Sequence, residues 1–113
     1  MVKENPILAI DFDGTCCEFA YPDIGKPMPG CFETLKDLQT AGYTLILWTC
    51  RESKQLEEAI AFCRDNGIEF DSINHNRIEH GYSGSRKVFA NWYIDDRSIG
   101  GFAGWDKVRE ILL

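Results

Sequence analysis

Ile7, Leu8, Ala9 and Ile10 form an apolar run with no polar break, and Tyr43, Thr44, Leu45, Ile46, Leu47 and Trp48 form a second, β-favouring one. A strand with one wet face alternates apolar and polar residues, so continuous runs of this kind imply strands covered on both faces. Segments of a different period lie between and after them. Phe32, Leu35, Leu38 and Ala41 recur at helical spacing and stop at Gly42. Leu56, Ala59, Ile60 and Cys63 make a second stripe, with Ser53 as the expected N-cap and Asn66 and Gly67 as the stop. Weaker strands are expected at residues 70–73 and 91–94. Trp105, Val108, Ile111 and Leu112 give the buried face of a last helix. Strands alternating with helices specify an α/β fold with a mainly parallel sheet and right-handed crossovers, in which ligands sit at the carboxyl ends of the strands.

Two connections break this rhythm. Residues 16–29 contain Pro22, Gly25, Pro27 and Pro29 and read as a structured loop or small hairpin over the end of the first strand, a flap and not a helix. Residues 74–86 form a polar, Gly-punctuated loop that is long for a plain connection, and such loops are often functional. A chain of 113 residues is about one domain. Five cysteines, odd in number and without metal-type spacing, read as reduced thiols that mostly fill core positions. With Glu4 near the start and neither a signal-like nor a membrane-spanning apolar stretch, the chain is expected to be cytoplasmic. A net charge of −6 disfavours a general nucleic-acid surface, which needs a Lys/Arg field. It leaves room for an anionic substrate held by locally focused positive charge.

Polar residues collect where the strands run out. Asp11 and Asp13 follow the first strand, with Gly14 releasing the chain into a turn; Thr49 and Arg51 follow the second; Asp95 and Asp96 follow the fourth, with Lys87 just before it. In a parallel sheet these ends share one edge. Two carboxylates separated by one residue at such an end are suited to a bound cation and to acid–base chemistry.

Taken together, Asp11-Phe12-Asp13-Gly14-Thr15, then Thr49, then Lys87, then Asp95-Asp96 resemble the four signature motifs of the haloacid dehalogenase-like superfamily, in order and across most of the chain. The resemblance implies a Rossmann-like three-layer α/β/α sandwich and a magnesium-dependent phosphatase. In the implied mechanism Asp11 is the nucleophile, Asp13 the general acid and base, and Thr49 and Lys87 bind and neutralise the phosphoryl group. Asp11, Asp96 and the backbone carbonyl of Asp13 would hold Mg²⁺. Asp95 is the alternative ligand to Asp96, and Arg97 matches relatives in which the second carboxylate takes the metal. Arg51 resembles a substrate-phosphate contact of some relatives, with a salt bridge to Glu52 or Asp96 as the competing reading. Arg86, the rival to Lys87, reads as an exposed loop cation, and His75 and His80 as loop residues. Cys16 and Cys50 read as close-packed small residues, and Trp48, Trp92 and Trp105 as core or near-core aromatics.

The intervals between motifs leave no space for a cap domain, so the resemblance is to a capless member, a single domain over residues 1–113 with an open site. The expected substrate is a small phosphate ester, with a homo-oligomer covering the site. A phosphoacceptor or a non-catalytic phosphate-binding module is the alternative. Absence of G-x-S-x-G, G-x-x-x-x-G-K-[ST] and G-x-G-x-x-G disfavours nucleotide-driven kinase chemistry and serine-hydrolase chemistry.

Overall fold

A computed structural model describes residues 5–77, 80–82 and 84–113. Residues 1–4, and Ile78, Glu79 and Ser83 of the loop expected at 74–86, lie outside the described residues. The chain forms β1 (Ile7–Ile10), α1 (Cys31–Thr40), β2 (Thr44–Leu47), α2 (Ser53–Asp65), β3 (Ser72–Ile73), β4 (Trp92–Ile94) and α3 (Trp105–Leu112). These are an α/β fold with a four-stranded, all-parallel, Rossmann-like sheet in the order β3-β2-β1-β4. No helix among the described residues is long and apolar enough to cross a membrane.

The unbroken runs take the two central positions. β1 pairs with β2 from Ile7↔Thr44 to Ile10↔Leu47 and with β4 from Leu8↔Trp92 to Ile10↔Ile94, and all four β1 residues are buried. One face of the sheet, carrying Leu8, Ile10, Leu45 and Leu47, packs against Leu35 and Leu38 of α1, Ala59 and Cys63 of α2 and Trp105 of α3. The other face, Ile7, Ala9 and Ile46, is covered by Val88 and Ala90 with Phe89 and Trp48 beside them. The third layer of the sandwich is therefore a strip of irregular chain, with no helix among the described residues between β3 and β4. Handedness explains the division. The β1-to-β2 and β2-to-β3 steps run the same way across the sheet, so right-handed crossovers put α1 and α2 on one side; the step back past β1 to β4 delivers its chain to the other.

Two expectations need correction. Ser53 is the first residue of α2, with φ 53°, and not its cap; Glu52 holds the N-cap position in extended conformation without a side-chain capping bond. Trp92 is 52% exposed because β4 lies at the sheet edge, whereas Trp105 is buried and donates its indole N–H to the Thr15 carbonyl at 2.7 Å.

Candidate functional site

The strand order creates the site. The chain leaves β1 toward β2, while β4 returns to β1's other side, so the crevice beyond the carboxyl ends of β1 and β4 is a topological switch point. Backbone hydrogen bonds carry the ladder into it: Asp11 N–H donates to the Ile94 carbonyl at 2.9 Å, and Trp48 N–H to the Ile10 carbonyl at 2.8 Å. Beyond β1 the chain tightens at once, with the Thr15 and Cys16 amides donating to the Phe12 carbonyl at 3.2 and 2.9 Å. Gly14 sits in this turn with φ 85°, a left-handed conformation that favours glycine. A Cβ there would lie 2.0 Å from Asp96 Oδ2, so Gly14 is also the bare surface on which the Asp96 carboxylate rests.

A cleft of about 660 Å³ opens at this edge. Asp11 and Asp13 from β1, Thr49 and Arg51 from β2, and Asp95 and Asp96 from β4 all line it. Asp11, Asp95 and Asp96 each present a carboxylate oxygen, and these atoms lie within 4.8 Å of one another. Burial, then the Asp95 charge and the Asp96 carboxyl, push the Asp11 carboxyl up to about 7, while the Thr15 hydroxyl, donating to Asp11 Oδ2 at 3.0 Å, pulls the other way. Three half-buried oxygen donors that repel one another fit a hard dication, which would relieve the repulsion.

Asp13 and Arg51 are paired with each other. Arg51 Nε and Nη2 donate to Asp13 Oδ2 and Oδ1, both at 2.8 Å. The same guanidinium donates to the flap carbonyls of Asp23 at 2.8 Å and Pro22 at 3.2 Å and to the Gln55 carbonyl at 3.3 Å. It lies over the Phe12 and Tyr21 rings, and Arg51 is 2% exposed. The bonds to Asp13 hold its pKa above the ordinary arginine value. The expected salt bridge of Arg51 to Glu52 or Asp96 is thus corrected to a buried fork on Asp13, and the guanidinium ties the flap to the end of β2. An arginine four residues beyond the end of a strand gives no sign in sequence of which carboxylate it will meet.

Lys87 is apart from the cleft. Its ammonium lies over the Tyr93 ring, 5.1 Å from the centroid, on the strip that covers the back of the sheet. It makes no ion pair with a carboxylate among the described residues. Arg86 is exposed, as expected. His75 keeps to its own loop through the Ile73 carbonyl, and His80 stacks on Tyr82 and Phe89.

Asn74 is the residue that sequence reasoning missed. Its Oδ1 accepts the Thr49 amide and its Nδ2 donates to the Thr49 carbonyl, both at 2.9 Å, clamping the backbone of the residue expected to hold phosphate. Asn74 has φ 59°, which asparagine tolerates better than most residues; an Asn directly after a short strand was the available signal. The Thr49 hydroxyl accepts the Arg51 amide at 3.1 Å and keeps its proton to donate. Cysteine placement is split. Cys16, Cys17, Cys31 and Cys63 are buried in the core, whereas Cys50 is exposed at the cleft, a correction to its expected packed position.

A solved structure of a conserved protein coded by a locus of Bacteroides thetaiotaomicron is similar to this chain with a TM-score of 0.88 and 44% sequence identity, covering 96% of this chain and 89% of that one. The chain belongs to the same protein family as that Bacteroides protein. No protein-family model and no curated protein matches it.

Proposed function

We propose that the chain is a capless, Mg²⁺-dependent phosphomonoester hydrolase of the haloacid dehalogenase-like type, acting through an aspartyl-phosphate. The observation that carries this reading is the meeting of Asp11, Asp95 and Asp96 within 4.8 Å at the switch point, beside Asp13 and Thr49 in one cleft. An Asp11 oxygen attacks phosphorus, the bond from phosphorus to the leaving oxygen breaks, and that oxygen takes a proton from Asp13, whose carboxyl must first leave the Arg51 fork and be protonated. Asp13 then removes a proton from the water that attacks phosphorus and frees Asp11. Acid–base help of this kind is commonly worth about 10²–10⁴-fold. The Thr49 hydroxyl donates to a phosphoryl oxygen, its backbone fixed by Asn74. Asp11, Asp96 and the Asp13 carbonyl would hold Mg²⁺, with Asp95 beside them, and the bound ion would supply charge neutralisation at the phosphoryl group. Lys87 joins this set only when its ammonium leaves Tyr93. The substrate is a small phosphate ester, in a cleft that a second copy of the chain would cover.

Incubation of the purified protein with phosphate esters, with Mg²⁺ and with chelator, tests the reading. Metal-dependent phosphate release, abolished by Asp11→Asn and Asp13→Asn and strongly reduced by Lys87→Ala but not by Arg86→Ala, is the expected result. One observation favours a second reading: the Arg51 fork occupies both oxygens of Asp13, and a base so engaged would be slow to activate water. Stable phosphorylation of Asp11 without ester turnover would establish this phosphoacceptor alternative and end the hydrolase one.

A further inference from the structure

We infer that the cleft selects phosphate esters whose leaving group carries a flat aromatic or heteroaromatic ring; for its reaction, though not for its binding preference, this rests on the hydrolase reading above. The cleft, at about 660 Å³, is much larger than a phosphoryl group and falls in the usual range for small organic ligands. Most of its polar side chains are already committed. Asp13 and Arg51 satisfy each other, the Asn74 amide is spent on the Thr49 backbone, and Asp11, Asp95 and Asp96 form the acidic cluster. Arg97 is an exposed cation suited to phosphoryl charge, and the Tyr21 phenol offers a single hydroxyl.

What remains for the rest of the substrate is aromatic. Phe19 and Tyr21 on the flap and Trp48 beyond β2 line the same cleft, and Phe19 and Tyr21 are 59% and 50% exposed. The flap that carries them is pinned at its base, where Glu18 N–H donates to the Lys26 carbonyl at 2.8 Å and Met28 N–H to the Cys16 carbonyl at 2.9 Å. Large rings left about half exposed beside a polar floor, even with the Arg51 guanidinium over the Tyr21 ring, mark a binding wall, not a core. A planar ring stacked there regains apolar contact that the free protein lacks. A polyol would give up its bonds to water with few partners to replace them.

The test compares benzyl phosphate with glycerol 1-phosphate, both esters of unactivated alcohols, and their uncleavable phosphonates, benzylphosphonate and 2,3-dihydroxypropylphosphonate, by calorimetry in Mg²⁺. We expect kcat/KM for the benzyl ester to exceed that for the glycerol ester by about tenfold or more, and the phosphonate affinities to differ alike. Phe19→Ala, a surface substitution, and Trp48→Leu should each bring both ratios toward unity. Cleavage of both esters with equal kcat/KM, or ratios indifferent to Phe19→Ala, would overturn the selectivity and leave the hydrolase reading intact. If neither ester is cleaved but benzylphosphonate binds the more tightly, the hydrolase reading falls and the selectivity stands. Failure to cleave either ester or to bind either phosphonate removes both.

Discussion

Asp11 carries the site's electrostatic tension in one carboxyl. Its folded-state pKa of about 7 lies above the ordinary carboxylate value of 3.8, so the folded chain holds this proton more tightly than the unfolded chain does. The contribution to stability is fully present below the ordinary value and is lost as pH rises through about 7. In chelator, the urea midpoint of the native protein should therefore fall across this window, and that of Asp11→Asn should fall less. Added Mg²⁺ should raise the native midpoint most at the alkaline end, where Asp11 is ionised. Equal pH slopes for the two proteins would refute the assignment. Gly14 makes a second residue-scale case. Gly14→Ala puts a methyl 2.0 Å from Asp96 Oδ2 at φ 85°, so beyond the roughly 1–2 kcal/mol of a left-handed alanine it must also displace the carboxylate. We expect lower stability by urea denaturation together with weaker Mg²⁺ binding by calorimetry; loss of the first without the second would show that Asp96 is not a ligand.

At the scale of elements, the loop that follows β3 works through one hydrogen-bonded clamp. Asn74→Gly removes both bonds to the Thr49 backbone, which are exposed to solvent, and keeps the positive φ of 59° accessible, so stability should fall by no more than about 1 kcal/mol. Turnover should fall further, by about tenfold or more, because Thr49 loses its fixed position. A kcat unchanged within error would show that Thr49 needs no clamp. This clamp also shows where reading the sequence stops. The apolar runs and helical stripes located β1, α1, β2, α2 and α3 because burial imposes a local period on the chain, and the strand ends located Asp11, Thr49 and Asp96 because parallel strands share one edge. Which side chain Arg51 or Asn74 would meet depends on partners 38 and 25 residues away, a distance at which no local pattern operates. Trp92 was misjudged for a related reason: strand order decides which strand is an edge, and order is not written in any one strand.

For the molecule as a whole, the asymmetry between its two layers matters most. Three helices cover one face of the sheet, and the other depends on the strip around Val88, Phe89 and Ala90, which also carries Lys87. That strip is fastened to the edge strand by Tyr93, whose hydroxyl donates to the Val88 carbonyl at 2.6 Å and accepts the Ala90 amide at 3.2 Å. Asn76 adds a second fastening, accepting the Phe89 amide at 2.7 Å and donating to its carbonyl at 2.8 Å. Fastening by side-chain rather than ladder hydrogen bonds places such a segment at the low end of local stability. Tyr93→Phe keeps the ring under the Lys87 ammonium and removes only the two hydroxyl bonds. Amide exchange should then accelerate at Ala90 by about five- to tenfold, the equivalent of roughly 1 kcal/mol, while the β1 amides, which open only with the whole fold, change no more than global stability does. Equal acceleration in β1 and the strip would mean that the strip opens only with the whole molecule. Acceleration confined to the strip would identify it as a separate unit, able to carry Lys87 away from Tyr93 without disturbing the sheet that holds Asp11 and Asp96.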